Sequence, residues 1–456
     1  MVWHTKGEAQ NILQQLPLPL NPRFDGKVPR IVHSHLQLDA PQRPILTTSF
    51  VSTQNLLTAH MCRDVGVFNL VEYFKALTVL EPGKMELRDY KKPELKSKAW
   101  LMKIEMAGIC GTDHHIINNK KPFPWAENIY PFIPGHEFVG RIEEVGSDFV
   151  GVDVEGFPLK KGDLVVVCPD GSRLGETVDS APCGKCYYCM TGFPLFCANR
   201  TSKTNHGPVM EGWQRGFAEY RYNHGVEAIY KLPEDMPPQV GVLVEPLSIA
   251  IHAFERAMGT GSSWLYQGMG PGKVVVVIGS GPIGILSVIV AKQLGAWRII
   301  VTGAPDNRLT LSKEFGAETI SIEKMKTPEE RIKAVKELTP YHQGADVVIE
   351  AAGTPSAFVE ALDMVRNRGT IVEVGHFTDR GPAPINPFWF CAKNINIFGI
   401  FGGGPAGFLW AKRFLEKTWR QIPFEKLVTH KFPLKDFNLA LETSRKLESM
   451  KTVMIP

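Results

Sequence analysis

Four cysteines, Cys183, Cys186, Cys189 and Cys197, stand as C-x2-C-x2-C-x7-C within PCGKCYYCMTGFPLFCANR. Two-residue gaps let successive thiolates turn back on one point, and the fourth closes a tetrahedron. That is the donor set of a closed, structural zinc site. A disulfide framework is the alternative. It fits poorly, because the other cysteines are scattered, no secretory signal is recognisable, and a chain of 456 residues does not need staples. A second set of donors lies upstream. Cys110 follows the apolar run WLMKIEMAGI, and His136 and Glu137 follow a Pro-Gly turn in PGHEF. Singly, such a cysteine reads as core and such a His-Glu pair as surface. Together, ahead of the four-cysteine lobe, thiolate, imidazole and carboxylate read as a catalytic metal site with one position open to water or a substrate oxygen.

A third motif points to a nucleotide. KVVVVIGSGPIGILSVIVAKQLGAWRIIV carries Gly279, Gly281 and Gly284 as GxGxxG between a valine strand and an apolar helix that opens at Pro282 and Ile283. A bare GxGxxG is weak, but strand before, helix after and a second β-rich run at 299–302 supply the context of a dinucleotide-binding βαβ unit. The glycines allow a tight turn and a close approach of backbone to pyrophosphate, whose charge the helix N-terminus favours. ADVVIEAAG and GTIVEVGHF read as later strands of the same sheet, so Gly353 and Gly375 at their ends should border a nicotinamide ring.

The elements that must position these groups follow from texture. YFKALTVLEPGKMELRDYKKPEL alternates like a hairpin with a Pro-Gly turn, and WLMKIEMAGI reads as a buried strand. The first seventy residues are proline-punctuated with few periodic apolar positions, and read as a loose or peripheral extension. A hydrophobic share of 44% with a charged share of 21% describes an ordinary globular protein of two or three domains. The net charge of +4 includes no basic block, which argues against nucleic acid and anionic membranes as partners. The most apolar stretch, 274–291, is broken by glycine, proline and serine, and is not a membrane span. Eight cysteines without secretory features favour a reducing, cytoplasmic setting. Cys62, Cys168 and Cys391 fit no ligand spacing and read as buried thiols; His252 reads as a packed or capping residue.

With GICGTD, PGHEFVGRI, the four-cysteine lobe, VEPLSIAIHAF, VVVIGSGPIG and LVTHKFPL in that order, the chain resembles the zinc-containing medium-chain dehydrogenase/reductase family, on its sorbitol and threonine dehydrogenase side. The resemblance runs from about residue 71 to the end. It implies an α/β protein, with a doubly wound Rossmann domain at 241–395 inside a split, GroES-like distorted barrel at 71–240 and 396–456. It implies two zinc ions per chain, NAD or NADP, a small alcohol or carbonyl substrate, and a homodimer or homotetramer.

Residue by residue, the resemblance makes Cys110 and His136 catalytic zinc ligands, with Glu245 at the acidic third position of polyol-type relatives and Glu137 as the carboxylate that ligates or holds the zinc water. Asp113 would fix the tautomer of His136. Thr112 would pass on the substrate proton and His115 would end the relay. The sequence departs from the family at Gly303, where NAD-specific relatives carry an acid for the ribose hydroxyls. Arg308 is placed for a 2′-phosphate or is only a helix-start cation, whereas Asp306 suits ribose hydroxyls, so cofactor choice stays open with a lean to NADP. Two other readings are a zinc-free quinone or enoyl reductase, and a catalytically silent nucleotide-binding member of the fold.

Overall fold

The computed structural model describes residues 73–118, 130–172, 183–193, 196–199, 215–225, 227–259 and 267–456. The N-terminal extension expected over residues 1–70, with Cys62, lies outside the described residues.

The strands are β1 (Tyr73–Glu81), β2 (Lys84–Lys91), β3 (Trp100–Gly108), β4 (Glu137–Val145), β5 (Leu164–Ser172), β6 (Tyr220–Asn223), β7 (Glu227–Lys231), β8 (Val274–Ile278), β9 (Arg298–Gly303), β10 (Glu318–Ser321), β11 (Ala345–Glu350), β12 (Val365–Glu373), β13 (Asn396–Gly399), β14 (Val428–Pro433) and β15 (Lys451–Ile455). As expected, β1 and β2 form a hairpin about Pro82-Gly83.

β8 to β13 form a six-stranded parallel sheet in the order β10-β9-β8-β11-β12-β13. Numbered from β8, that is 3-2-1-4-5-6, the doubly wound order that leaves a crevice where the winding reverses. β8 is buried at every residue, because a central parallel strand is covered by helices on both faces. One cover is the helix Pro282–Gln293, apolar nearly all round, which packs on the helix Val244–Met258. The expected boundary at 396 needs correction. The run from Asn396 to Gly399 pairs in parallel with β12 and completes this sheet, so the chain leaves it only after Gly399.

The second sheet is mixed and seven-stranded, with the path β14-β15-β3-β4-β5-β7 and β6 paired beside β3. β14 and β15 come from the C-terminal segment, which returns to the first part of the chain by way of β15 against β3. The returning helix Gly404–Thr418 packs on the helix Val244–Met258, and one apolar cluster runs from β4 and β5 through these helices to β8 and β11. Among the described residues no helix is long and apolar enough to cross a membrane.

Candidate active site

β3 ends at Gly108, and the chain turns through Cys110 into the helix Gly111–Asn118. β4 begins at Glu137, in register with Gly108, so the two donor motifs meet at one end of a strand pair. The ligand atoms of Cys110, His136 and Glu137 lie within 4.8 Å of one another. A Cβ at 108 would stand 2.1 Å from Glu137 Oε2, so any other residue there would displace the Glu137 carboxylate. Asp113 is buried; its Oδ2 accepts the Cys110 N–H at 2.9 Å and its Oδ1 faces His136 Nδ1 at 3.5 Å. One ring nitrogen of His136 is thereby assigned to Asp113, leaving Nε2 as the other possible donor to a metal. Burial alone would push His136 down and Asp113 up. Their mutual attraction outweighs it, so the imidazole holds its proton well above the usual range and the carboxyl stays below its own. Thiolate, imidazole and carboxylate donors converging within 4.8 Å are a donor set that fits zinc.

Thr112 Oγ1 lies 3.6 Å from Cys110 Sγ. One helical turn on, His115 packs edge-on to Phe377 and its Nε2 faces Arg380 Nη2 at 3.3 Å. Arginine only donates, so Nε2 accepts and neutral His115 carries its proton on Nδ1. Burial first, then Arg380 and His114, push His115 below the usual histidine range. Phe377, in the loop after β12, also reaches within 3.3 Å of where a Cβ on Gly111 would stand. The metal-donor helix therefore touches the carboxyl edge of the parallel sheet. Glu245, in the first turn of the helix Val244–Met258, is not one of the three donors that converge, although its charge reaches Lys451.

Lys451 is the residue that sequence reasoning missed. It opens β15 with its side chain buried, its ammonium pairs with Glu137, and it donates to the Ile109 carbonyl at 3.2 Å. Burial would lower its pKa, but Glu137, Cys110 and Glu245 raise it. The one available signal was a lysine heading the apolar strand KTVMI.

The four lobe cysteines also converge within 4.8 Å. Cys186 Sγ stands 3.5 Å from Cys189 Sγ and 3.9 Å from Cys197 Sγ. Four thiolates about 2.3 Å from a common zinc are separated by about 3.8 Å, so the spacing suits a shared cation. It is far beyond an S–S bond of about 2.05 Å. Asn199 Nδ2 donates to Cys183 Sγ at 3.1 Å, and this donor with nearby backbone N–H groups brings the thiol down to about 6. Cys168 is buried as expected, but Cys391 is exposed on the helix Phe388–Lys393, which buries none of its residues.

The glycine turn after β8 divides its labour. Gly279 has φ +112°, and a Cβ on Gly284 would fall 2.0 Å from the Gly279 carbonyl, so these two serve the protein's own packing. At Gly281 a Cβ would meet nothing closer than Arg308 Nη1 at 3.8 Å. The open space above Gly281, at the N-terminus of the helix begun by Pro282 and Ile283, is where a pyrophosphate fits. Gly353 and Gly375 close the ends of β11 and β12, and a Cβ on Gly353 would lie 2.3 Å from the Gly375 carbonyl.

The cofactor-selectivity residues depart from expectation. Gly303 ends β9, and a Cβ there would lie 2.6 Å from Ser280 Oγ and 2.9 Å from Ser280 N. Ser280 Oγ donates to the Ala304 carbonyl at 2.8 Å, so its side chain occupies the space an acid at 303 needs. Gly303→Asp should therefore lower stability by about 1–3 kcal/mol through overpacking, without creating a preference for NAD. Thermal melts with kcat/KM for both dinucleotides check this; a stable, NAD-selective variant would refute it. Asp306 is engaged by Lys324 at 2.7 Å on the surface. Of the two readings of Arg308, an exposed helix-start cation is excluded: it is buried, with Nε and Nη2 donating to the Ser449 carbonyl. His252 Nδ1 donates to the Gly402 carbonyl at 2.7 Å, a packing role.

A third group was not foreseen. Glu350 and Glu373, register partners at the ends of β11 and β12, converge with His376 within 4.8 Å. Glu350 accepts the N–H groups of Ala352 at 2.8 Å and Gly353 at 2.9 Å, which pins the loop after β11. Burial first, then Glu373, pushes Glu350 up to about 8 from 4.5. The folded state then binds more protons than the unfolded one between those values, so stability falls as pH rises through the window, by at most about 1.4 kcal/mol per pKa unit. His376 Nδ1 faces both carboxyls, at 3.0 Å and 3.7 Å. Glu373→Gln should flatten the loss of Tm between about pH 5 and pH 9. An undiminished slope would place its source elsewhere.

Two family models match the chain: the alcohol dehydrogenase GroES-like domain over residues 96–234 and the zinc-binding dehydrogenase over residues 282–417. The chain is 32% identical over 381 residues to an L-threonine 3-dehydrogenase of Bacillus subtilis, covering 80% of this chain and 93% of the relative. It is 30% identical over 380 residues to the sorbitol dehydrogenase of Bos taurus, covering 83% and 95%. A solved alcohol dehydrogenase from Thermotoga maritima superposes with a TM-score of 0.72 at 28% identity, covering 84% of this chain and 99% of that one.

Proposed function

The chain belongs to the zinc-type medium-chain alcohol dehydrogenase family, in its sorbitol and threonine dehydrogenase branch, and from that premise we propose how its own residues carry the reaction. It is an NAD(P)-dependent alcohol dehydrogenase, moving a hydride between an alcohol carbon and a nicotinamide ring. The observation that carries the site assignment is the contact of the donor helix with Phe377. It sets Cys110, His136 and Thr112 against the half of the crevice bordered by β11 and β12.

Cys110 and His136 hold a catalytic zinc, with Glu137 or Glu245 as third donor, and the four lobe cysteines hold a structural one. Zinc bound there supplies a Lewis acid that stabilises negative charge on the substrate oxygen. Asp113 keeps His136 in register, and Lys451 fixes and neutralises Glu137. Thr112 Oγ1, beside the thiolate, holds the hydroxyl proton, and His115 receives it toward solvent as the Arg380 contact loosens. The turn at Gly281 cradles the dinucleotide phosphates. The substrate class is a secondary alcohol, polyol or amino alcohol. The intact donors speak against a zinc-free reductase and against a silent member of the fold.

A homodimer or homotetramer is part of this reading, supported by β13, which among the described residues is the last strand of its sheet, with Phe388 and Trp389 exposed just before it. So is a reducing, cytoplasmic setting, because thiol ligands must stay unoxidised. Assays of polyols, amino alcohols and simple alcohols with NAD and NADP test the function. Dinucleotide reduction by at least one class is expected; none with any alcohol, in protein carrying its zinc, would overturn the reading.

A further inference from the structure

β11 and β12 end in the two carboxyl side chains of Glu350 and Glu373, and His376 follows in the loop after β12. Glu373 Oε1 accepts the His376 backbone N–H at 3.1 Å and its Nδ1–H at 3.0 Å, so one oxygen fixes the ring at two points. A carboxylate only accepts, which puts the imidazole proton on Nδ1 and leaves Nε2 of the neutral ring as a bare acceptor. Burial, with Glu373 beside it, pushes Glu350 up to about 8. Near neutral pH Glu350 therefore keeps its proton, and the negative charge of the pair rests on Glu373, against the ring. Among the described residues no lysine or arginine pairs with either carboxyl, and His376 Nε2 has no hydrogen-bond partner.

The neighbours of His376 say where that nitrogen can act. One residue before it, Gly375 closes β12 against the backbone of Gly353. One residue after it, Phe377 stands edge-on to His115 and within 3.3 Å of where a Cβ on Gly111 would stand, next to Cys110. The backbone at 376 thus runs from the nicotinamide side of the crevice to the metal donors. The side chain is 23% exposed, and the ring edge that bears Nε2 lies opposite the edge turned to Glu373. Neither the hydride step nor the proton path through Thr112 and His115 uses it.

We propose that His376 is a specificity-determining residue, whose Nε2 accepts a hydrogen bond from a second O–H or N–H group on the substrate, next to the carbinol that reacts. Glu373 is its positioning residue. The proposal rests on the dehydrogenase reading for the reaction and narrows its substrate class to diols, polyols and amino alcohols, over alcohols with apolar arms. A carboxylate behind the imidazole strengthens Nε2 as an acceptor, and an ammonium donor gains more from it than a hydroxyl does. An alcohol that lacks the donor leaves this half-buried nitrogen without a partner, and that mismatch is the source of the discrimination.

Isosteric sets of increasing chain length test it, beginning with propane-1,2-diol, 1-aminopropan-2-ol and butan-2-ol, which differ only in a terminal hydroxyl, amine or methyl. In zinc-loaded wild type, kcat/KM for the diol or the amino alcohol should exceed that for the methyl isostere by about ten- to a hundredfold. The amino alcohol leads if the donor is an ammonium, and the diol leads if it is a hydroxyl. His376→Leu should bring the members of a set within about threefold of one another, a change in ratio that a loss of fold alone would not produce. Should that variant not fold, Glu373→Gln carries the test: Nδ1 keeps a partner but the charge behind it is gone, so the preference should fall by about three- to tenfold. Equal rates across a set in wild type, or a preference untouched by these substitutions, would overturn the proposal while dinucleotide reduction leaves the dehydrogenase reading standing. Wild type that turns over no member of any set would also overturn it, and the dehydrogenase reading falls with it only if every other alcohol fails too.

Discussion

Cys110→Ser should lower kcat for alcohol oxidation by at least about a thousandfold, while NAD and NADP affinity stays within about threefold of wild type. The two halves of this expectation have different structural sources. The thiolate is one of three donors within 4.8 Å, and Glu137, the nearest replacement, is tied to Lys451. Removing Cys110 leaves His136 and one carboxylate, Glu137 or Glu245, too few to hold a cation that polarises the substrate oxygen. A loss of Lewis-acid stabilisation of about 4 kcal/mol corresponds to that thousandfold. The dinucleotide crevice is built by β8 to β13 and the turn at Gly279–Gly284, none of which uses Cys110. Steady-state rates with titration of both dinucleotides check the pair. Unchanged turnover would reject the catalytic metal, and lost cofactor binding would show that the donor helix also supports the crevice.

Cys186→Ser should release one zinc per chain and unfold the lobe locally. Little else holds it. Tyr187 is 76% exposed and Met190 72% exposed, and the helix Tyr187–Met190 buries only Cys189. A segment that turns its apolar residues outward has almost no core, so the metal must organise it. Binding energies near 10 kcal/mol for isolated zinc modules set the upper scale; within this large chain the loss should be confined mainly to residues 183–199. Proteolysis or hydrogen exchange of that stretch, read with metal content, is the measurement. Full zinc content with an unchanged lobe would exclude a shared four-thiolate site.

What could be read in the sequence was what is local in it. The lobe cysteines span a few turns of chain, and GxGxxG lies between its own strand and helix, so their spacing alone carried the assignment. Cys110 and His136 were read as one site because they stand together ahead of the four-cysteine lobe; the β3–β4 pairing that closes them was not legible. Lys451 was not, since it reaches Ile109 from 342 positions away and only the β15–β3 pairing brings it there. Gly303 was read as a missing carboxylate; that Ser280 fills the same space depends on packing between two loops. That Arg308 is buried was not legible, because its partner is a backbone carbonyl, and a carbonyl leaves no mark in a sequence. The sheet edge was misplaced at 396 for a similar reason, since NIFG is too short to declare a strand without its neighbour β12.

The most direct test of the dehydrogenase reading follows one atom. An alcohol that supports turnover, carrying deuterium on its carbinol carbon, is oxidised with NAD or NADP, and the reduced dinucleotide is examined by NMR. Direct hydride transfer predicts one deuterium on the nicotinamide ring per carbonyl formed, on a single face, with the label absent from solvent. Reduced dinucleotide without deuterium, or carbonyl formed without dinucleotide reduction, would contradict it.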